Sequence, residues 1–483
     1  MDEQRSGFGR RGMGRLGRIA TLLIASTMLV TVAACASNTS SPGDDATALD
    51  DAAVQAYIYT YPLVANEVTR REMTNLPRPN GMGAAPMNQL ANITGLPDAS
   101  YTSIPRPNDD TVYSMMFFDV STQPMVVNVP DMGGRYHLFP LLDAWTNVDA
   151  SPGTRTLGEQ HGYQFAITGP SWHGTLPAGV RQYSMPTDSG WMIGRIQVNG
   201  KDDMQNVLAI QHQLTAVPLS EYGKDYTQPV NTDIHPDWPS GQRVPTYIRN
   251  LTPQQYWDLY YDSLSHDQPR PEDKDLLAGL AKVGWSPEHK LDLSRLSDSD
   301  RARWSDAWTK ALPQIEGNPT TQPVNGWRTQ RSHVGDYGTA WLDRAVVACI
   351  GIGANLPQDA VYPITSVDSN GDPLTSDRRY ILHFDKNAIP DVRAFWSLTL
   401  YNDKGFFVDN PLNRYSLRGG TLHTNPDGSI DIYLQRQAPG ADRDANWLPT
   451  PSSGTFNLAL RLYWPDTAIV DGTWNPPAIT AIS

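Results

Sequence analysis

Val112-Tyr113-Ser114-Met115-Met116-Phe117-Phe118-Asp119-Val120 and Met125-Val126-Val127-Asn128-Val129 are two short apolar runs separated by four residues. Both are too short for a typical helix, both contain β-branched or aromatic side chains, and turn residues bound the second. These features favour strands that are buried on at least one face. The two runs therefore predict the beginning of a β-sandwich.

The same pattern recurs in two separate parts of the chain. Turn signals such as Pro130-Asp131-Met132-Gly133-Gly134 and Asn425-Pro426-Asp427-Gly428 punctuate it, and 39 Pro and 38 Gly fit a fold rich in turns. The predicted strands lie at 112–120, 125–129, 136–142, 163–168 and 191–198, and again at 380–384, 395–401, 430–435 and 456–464. The predicted fold class is mainly β with a helical insertion, comprising two β-sandwich domains of which the second is jelly-roll-like.

Helical spacing of apolar residues dominates the remaining parts of the chain. A first helix is expected over 50–73, with Pro62 kinking or ending its first part, because proline removes a backbone donor. Further helices are expected at 202–215, 254–264, 272–283, 297–312 and 337–351. The predicted division is an N-terminal helix with the first sandwich over 50–200, a helical region over 201–355 and the second sandwich over 356–483.

The N-terminus has the pattern of a bacterial lipoprotein signal. A cationic leader with five arginines precedes the apolar run 19–32, and Val32-Ala33-Ala34-Cys35 has the form of a lipobox. We expect residues 1–34 to be a signal peptide, Cys35 to be acylated and to anchor the protein to the cell membrane, and 35–49 to be a flexible tether. The alternative is an ordinary secretory peptide in which Cys35 is incidental.

Charge and cysteine content limit the remaining function classes. The net charge is −13, and loss of the arginine-rich leader makes the body more acidic, so a nucleic-acid partner is not expected. Cys349 lies in an apolar run and is expected to be a core residue. With Cys35 acylated, no intramolecular disulfide is expected, and without CxxC or a close His/Cys cluster no structural zinc site is expected either.

Several longer motifs resemble a known bacterial family that pairs a domain of unknown function 1254 with a domain of unknown function 1214. The motifs in the first half are 105–114, 129–136, 143–147 and 194–195; those in the second are 395–401, 410–416, 446–449 and 460–465. The resemblance implies two β-sandwich-type domains joined by a helical insertion, and it implies no settled activity. Where the family commonly has Asn-Asn-Asp-Thr, this chain has Asn108-Asp109-Asp110-Thr111, so Asp110 corresponds to the family carboxylate.

Polar residues of the first half form one group of candidates. Asp110 and Asp143 are the candidate catalytic pair, because two carboxylates flanking a bond can hydrolyse a glycoside. Asp109 and Asp110 are not expected to share a pocket unless they lie in a turn, since adjacent strand residues point to opposite faces. The candidate ligand-binding residues are Arg106, Asn108, Tyr113, Trp145, Asn147 and Arg195. Two alternatives remain: a calcium site using Asn108 or Asn147, and turn capping by Asp110 with no function.

The second group lies in the C-terminal strands. Arg414, Tyr415, Arg461 and Tyr463 are candidates because Tyr stacks on sugar rings and Arg clamps carboxylates. Alternation places Arg461 and Tyr463 on one strand face and Leu460, Leu462 and Trp464 on the core face.

These observations leave three functional hypotheses. The first is an envelope-anchored lipoprotein that binds a small polar or glycan-like ligand in a cleft between its β domains. The second is a hydrolase of glycan or ester bonds that uses the acidic pair, and the third is a structural envelope protein with a protein partner. The familiar nucleotide-binding and hydrolase motifs do not occur, and the sequence identifies no cofactor and no metal.

Overall fold

The computed structural model describes residues 42–158, 161–317 and 321–482 of the chain. The chain divides into two units, Met1–Asp45 and Ala46–Ser483, and all contacts given below belong to the second. The predicted signal peptide and the acylated Cys35 lie outside the described residues.

The first sandwich is built from two sheets that enclose an apolar core. One sheet has the order β1-β2-β9-β5-β6, with β4 also paired to β9, and the other has the order β10-β3-β7-β8. Met116, Phe118, Val127, Phe139 and Phe165 lie in the core between them. The strands are β1 Ala91–Asn92, β2 Thr111–Asp119, β3 Met125–Val129, β4 His137–Leu138, β5 Leu141–Asp143, β6 Val148–Ala150, β7 Tyr163–Thr168, β8 Val180–Ser184, β9 Ser189–Gln197 and β10 Thr215–Pro218.

The helical part has a core of its own, in which aromatic rings predominate. Tyr57 lies with its ring 4.8 Å from that of Trp257 and 5.1 Å from that of Trp308, and Cys349 is buried in the same core as predicted. The α-helices among the described residues are α1 Pro42–Thr74, α2 Thr154–Leu157, α3 Met204–Gln211, α4 Val244–Arg249, α5 Pro253–Leu264, α6 Lys274–Leu280, α7 Asp298–Ile315, α8 Trp341–Gly351 and α9 Thr467–Val470.

The second sandwich repeats the two-sheet arrangement. Its sheets have the orders β11-β18-β14-β15, with β12 also paired to β18, and β17-β16-β13-β19. The long strands β14 and β18 pair in register from Phe395 opposite Tyr463 to Asn402 opposite Phe456. The strands are β11 Ala360–Val361, β12 Ile364–Thr365, β13 Arg379–Phe384, β14 Val392–Asn402, β15 Ser416–Arg418, β16 Ile430–Gln435, β17 Trp447–Pro449, β18 Phe456–Pro465 and β19 Ile479–Ile482.

The predicted fold class, mainly β with a helical insertion and two sandwiches, is confirmed, and the predicted long strands lie within a few residues of their observed positions. The helix predicted over 202–215 ends at Gln211, and Thr215–Pro218 forms β10 of the first sandwich. Helix α1 begins at Pro42, inside the predicted tether, and it runs through Pro62, where a kink or an end was predicted. The helix around Pro62 is buried on nearly all sides, from Ala53 to Val68, so tertiary packing offsets the cost of an interior proline.

The helices that the structure describes include none with the length and apolar character needed to cross a membrane.

Gly194 in β9 provides a test of how tightly the first sandwich is packed. A Cβ built on Gly194 would lie 2.5 Å from a ring carbon of Phe139 and 2.6 Å from the carbonyl oxygen of Ser114. We expect Gly194→Ala to lower the free energy of unfolding by about 1–3 kcal/mol, the usual cost of overpacking. The matched control is Gly279→Ala in α6, where a Cβ meets nothing within 4 Å. That change should raise stability by about 0.5–1 kcal/mol. Urea unfolding of both variants measures the difference, and equal effects would contradict this account of the packing.

Candidate functional site

Residues 106–110 come just before strand β2 of the first sandwich and lie against the second sandwich. The backbone N–H of Asp110 donates to Asn108 Oδ1 at 2.7 Å, and Asn108 Nδ2 donates to Thr111 Oγ1 at 2.9 Å. These local bonds bend the chain before β2 begins at Thr111. Adjacent residues of a regular strand point to opposite faces, but Asp109 and Asp110 lie in a bend. Both side chains can therefore point toward the second sandwich.

Both carboxylates contact the second sandwich. The Ser416 hydroxyl donates to Asp109 Oδ2 at 2.8 Å, and the Ser397 hydroxyl donates to Asp110 Oδ2. Arg418 lies between them: its Nη2 donates to the carbonyl of Asp109 at 3.0 Å and its Nε is 3.6 Å from Asp110 Oδ1. The acidic pair of this segment is thus held by side chains of β14 and β15.

The backbone of the same segment is held by β14 and β18. The Tyr401 hydroxyl donates to the carbonyl of Pro107 at 2.8 Å. Arg461 Nη2 donates to the carbonyls of Arg106 and Pro107 at 3.0 and 3.2 Å, and to the Tyr401 hydroxyl at 2.6 Å. Arg106 has φ of 57°, a backbone conformation that costs free energy in residues other than glycine and is enriched at functional sites.

Tyrosine hydroxyl groups and the side-chain amides of Asn108 and Asn355 lie beside these charged residues. Asn108 Nδ2 lies 3.5 Å from the hydroxyl of Tyr113 and 3.2 Å from that of Tyr463. Asn355 Nδ2 donates to the Tyr362 hydroxyl at 2.9 Å, while Asn355 Oδ1 accepts from Arg195. We call this group the junction cluster: Asn108, Asp109, Asp110, Tyr113, Arg195, Asn355, Tyr362, Ser397, Tyr401, Ser416, Arg418, Arg461 and Tyr463.

Part of the junction cluster is open to solvent. Tyr463 and Tyr401 are fully buried, and Arg195 and Arg461 are only 7% and 8% exposed. Asn108, Tyr113 and Tyr362 are partly exposed, as are Asp109, Ser416 and Arg418. The cluster therefore meets solvent at side chains from both sandwiches.

The charges of the cluster shift its pKa values in opposite directions. Burial raises the pKa of Asp109 to about 6, and the neighbouring Asp110 adds to the rise. Burial would also raise the pKa of Tyr113, but the nearby Arg195 and the amide of Asn108 bring it below the usual tyrosine value. Burial and Asp110 hold the pKa of Tyr463 well above that value. The cluster therefore favours negative charge at Tyr113 and disfavours it at Asp109.

Asp110 and Asp143 do not form the expected pair. Asp143 is opposite Gly190 at the start of β9, whereas the carbonyl of Asp110 accepts from Val198, eight residues further along. At about 3.3 Å per residue the two positions are roughly 26 Å apart. Paired catalytic carboxylates of glycosidases lie about 5–9.5 Å apart. The expected acidic pair is thus absent from the structure.

Asp143 belongs to a separate buried group with Trp145 and Asn147. Its Oδ2 lies 2.5 Å from Arg270 Nη1, and its Oδ1 accepts from the backbone of Asn147 at 2.7 Å. Trp145 is fully buried and donates to the carbonyl of Gln268 at 3.0 Å. These contacts are internal, so none of the three side chains is presented to a ligand.

Other candidates also have internal roles. Arg414 donates to the carbonyls of Asp444 and Trp447 at 2.6 and 3.0 Å, which ties its loop to β17. Tyr415 stacks on Phe407 with ring centroids 4.6 Å apart. In β18, alternation places Arg461 and Tyr463 toward the first sandwich, while Leu460 and Leu462 lie in the core as predicted. Trp464 departs from the alternation, with φ of 49° and a partly exposed ring outside that core.

The junction cluster also contains residues that the sequence did not single out as candidates. These include Asn355, Tyr362, Ser397, Ser416 and Arg418. One available signal was the polar alternation in β14, where Ser397, Thr399 and Tyr401 interrupt an apolar strand at every second position. Tyr362 and Asn355 carried no such signal, because they lie outside the long strands.

Among the described residues, no group of three or more His, Cys, Asp or Glu side chains is arranged to hold a metal ion.

The Asp143 group gives a stability test that leaves the junction cluster untouched. Arg270→Ala would leave the fully buried Asp143 carboxylate without its cation, so we expect a loss of about 3–5 kcal/mol in the free energy of unfolding. The matched control is Arg249→Ala, which breaks an exposed pair with Glu316 and should cost about 0–1 kcal/mol. Urea denaturation measures both, and a loss at Arg270 no larger than the control's would contradict the structural role of this pair.

Two family models match separate parts of the chain. Residues 87–218 match the model described as protein of unknown function DUF1254, and residues 359–467 match the one described as protein of unknown function DUF1214. The motifs 105–114 and 460–465, which contribute to the junction cluster, lie within these two matches. A search among curated proteins finds no match.

Solved structures show the same fold. The crystal structure of the VPA0106 protein from Vibrio parahaemolyticus is 25% identical, with a TM-score of 0.68 over 90% of this chain and 100% of that chain. An uncharacterized protein from Burkholderia cenocepacia is 12% identical, with a TM-score of 0.43 over 91% of this chain and 95% of that one, a likeness too low to inform. The chain therefore matches a DUF1254 model and then a DUF1214 model, in the order that the sequence motifs predicted.

Proposed function

We propose that this protein is an exported lipoprotein, anchored to the bacterial cell membrane through Cys35, which binds a small polar or glycan-like ligand at the junction cluster. The observation that carries the proposal is the convergence of polar side chains from both sandwiches on one partly exposed place. Asn108 and Tyr113 come from the first sandwich, and Tyr362 precedes β12 of the second. Binding sites often occur at such domain junctions.

The chemistry of the exposed side chains fits a polar ligand. Tyr113 and Tyr362 each offer a flat ring and a hydroxyl, a combination suited to sugar rings and other amphipathic groups. Asn108 offers an amide whose oxygen and nitrogen are already oriented by Asp110 and Thr111. A preorganised site of this kind loses little conformational entropy when a ligand binds.

Hydrolysis by Asp110 and Asp143 gains no support from this geometry. The two carboxylates lie at opposite ends of β9, and Asp143 is enclosed by Arg270 and Asn147. Binding without turnover is accordingly the function that the arrangement supports best.

A ligand screen tests the binding proposal. We expect at least one cell-wall sugar to raise the melting temperature of the lipidated protein in detergent, and Tyr362→Phe to weaken its binding about threefold to tenfold, the value of one hydrogen bond. The control is Tyr433→Phe, because Tyr433 lies in β16 on the other sheet of the second sandwich. The proposal would fail if no sugar stabilised the protein, or if the two variants lost affinity equally.

Replacing each of the two cysteines in turn tests whether Cys35 anchors the protein to the membrane. In a bacterial host that processes lipoproteins, the unmodified protein should incorporate radiolabelled palmitate and enter the detergent phase of a Triton X-114 separation. Cys35→Ala should lose both properties, because no other residue of the lipobox can carry the diacylglyceryl thioether. The matched control is Cys349→Ala, which changes the other cysteine of the chain and should keep both. Equal labelling of the two variants would contradict the anchor.

A further inference from the structure

Two arginines of the junction cluster are buried without an acidic partner. Arg195 comes from β9 of the first sandwich and Arg461 from β18 of the second, and they are 7% and 8% exposed. Within the described part of the chain neither forms a salt bridge with a carboxylate, although Asp110 and Asp109 lie near enough to Arg461 to interact with it electrostatically. A buried charge is costly unless it is paired, so these two positions call for an explanation.

The present partners of both guanidinium groups are neutral. Arg195 donates to Asn355 Oδ1 and to the carbonyls of Gly353 and Ile193. Arg461 donates to the carbonyls of Arg106 and Pro107 and to the Tyr401 hydroxyl, and within the described part of the chain its buried Nε has no hydrogen-bond partner. The neutral contacts orient the two groups without neutralising them.

The nearby acids form their direct contacts with other groups. Asp109 and Asp110 are held by Ser416 and Ser397, and their closest cation is Arg418. With both acids ionised, three arginines face two carboxylates. The cluster therefore has an excess of positive charge.

The partly exposed tyrosines lie directly over the two arginines. The guanidinium carbon of Arg195 is 5.2 Å from the centroid of the Tyr113 ring, and that of Arg461 is 5.6 Å from the centroid of the Tyr362 ring. Arg195 is the main group that lowers the pKa of Tyr113, and Arg195 and Arg461 also act to lower the pKa of Tyr362, although burial leaves that pKa raised. Both arginines therefore contribute a positive potential at the two tyrosines. A negative group entering here would meet that potential where solvent meets the cluster.

We infer that the ligand of the junction cluster carries a carboxylate, which binds beside the Tyr113 and Tyr362 hydroxyls and supplies the negative charge that Arg195 and Arg461 lack. This inference rests on the proposed function and specifies its ligand class as acidic, with a uronic acid as the glycan-like form. A charge-assisted contact to guanidinium is about twice as strong as a neutral hydrogen bond, so the acid group would provide most of the selectivity.

Pairs of sugars that differ in the acid group test the inference on the unmodified lipidated protein. The probes are galacturonate with galactose, glucuronate with glucose, and N-acetylmuramate with N-acetylglucosamine, titrated calorimetrically at low ionic strength. We expect at least one acid to bind at least tenfold more tightly than its neutral counterpart, and added salt to reduce the difference. Equal binding of acid and neutral sugar would overturn the inference and leave the proposed function standing. Binding of none of the six would overturn both.

The pH dependence gives a second readout that needs no loss of a buried arginine. Asp109 is faced by Asp110 from its own segment, by Ser416 and Arg418 from β15, and by Arg461 from β18. Its pKa of about 6 means that it gains a proton as the pH falls from 7.5 to 5.5, while a uronate stays ionised. Removing this nearby negative charge should tighten binding of the acid by up to about tenfold.

Asp109→Asn is the matched variant for this readout. The amide keeps an oxygen that can accept from Ser416, so the contact of this segment with β15 should persist. We expect the variant to bind the acid at pH 7.5 about as tightly as the unmodified protein does at pH 5.5, with a much smaller pH dependence. An unchanged pH profile in the variant, or weaker binding of the acid by the unmodified protein at lower pH, would overturn the electrostatic part of the inference.

Discussion

Residues 106–110 contact β14, β15 and β18 through hydrogen bonds. The geometry of the junction cluster depends on these contacts. Arg461 and Tyr401 of the second sandwich are satisfied by carbonyl groups of this segment, and Asp109 and Asp110 are satisfied by serines of the second sandwich. Neither sandwich could bury its share of these groups alone, because hydrogen bonds to charged groups are worth about 1.5–3 kcal/mol each and leaving them unmade costs more. The junction is thus a shared polar core.

Charge pairing within that polar core is unequal. A purely structural junction would be expected to match each buried cation with an anion, as Arg155 is matched with Asp359 at 2.6 Å elsewhere between the two sandwiches. Arg195 and Arg461 instead contact neutral oxygens, beside tyrosines that solvent can reach. The same charge imbalance accounts for the lowered pKa of Tyr113 and for the selectivity proposed for acidic ligands.

The sequence predicted the strands and helices better than the contacts between them. Strands β2 and β18 were predictable because short apolar runs and period-two alternation are local signals, and alternation alone oriented Arg461 and Tyr463 correctly. The continuation of α1 through Pro62 was not predictable, because burial of that helix overrides the local preference. The separation of Asp110 from Asp143 depended on the register between β2, β5 and β9, and the approach of Ser397 to Asp110 joins residues 287 positions apart. Such distances are set by packing, which a single sequence does not reveal.

A crystal structure of the protein with galacturonate bound at pH 5.5 would show whether the junction cluster binds a carboxylate. We expect the sugar carboxylate to lie at the junction cluster, in contact with the hydroxyl of Tyr113 or Tyr362 and about 3 Å from a guanidinium nitrogen of Arg195 or Arg461. A sugar bound elsewhere on the chain, or one that turns its carboxylate to solvent and its neutral hydroxyls to the arginines, would contradict it.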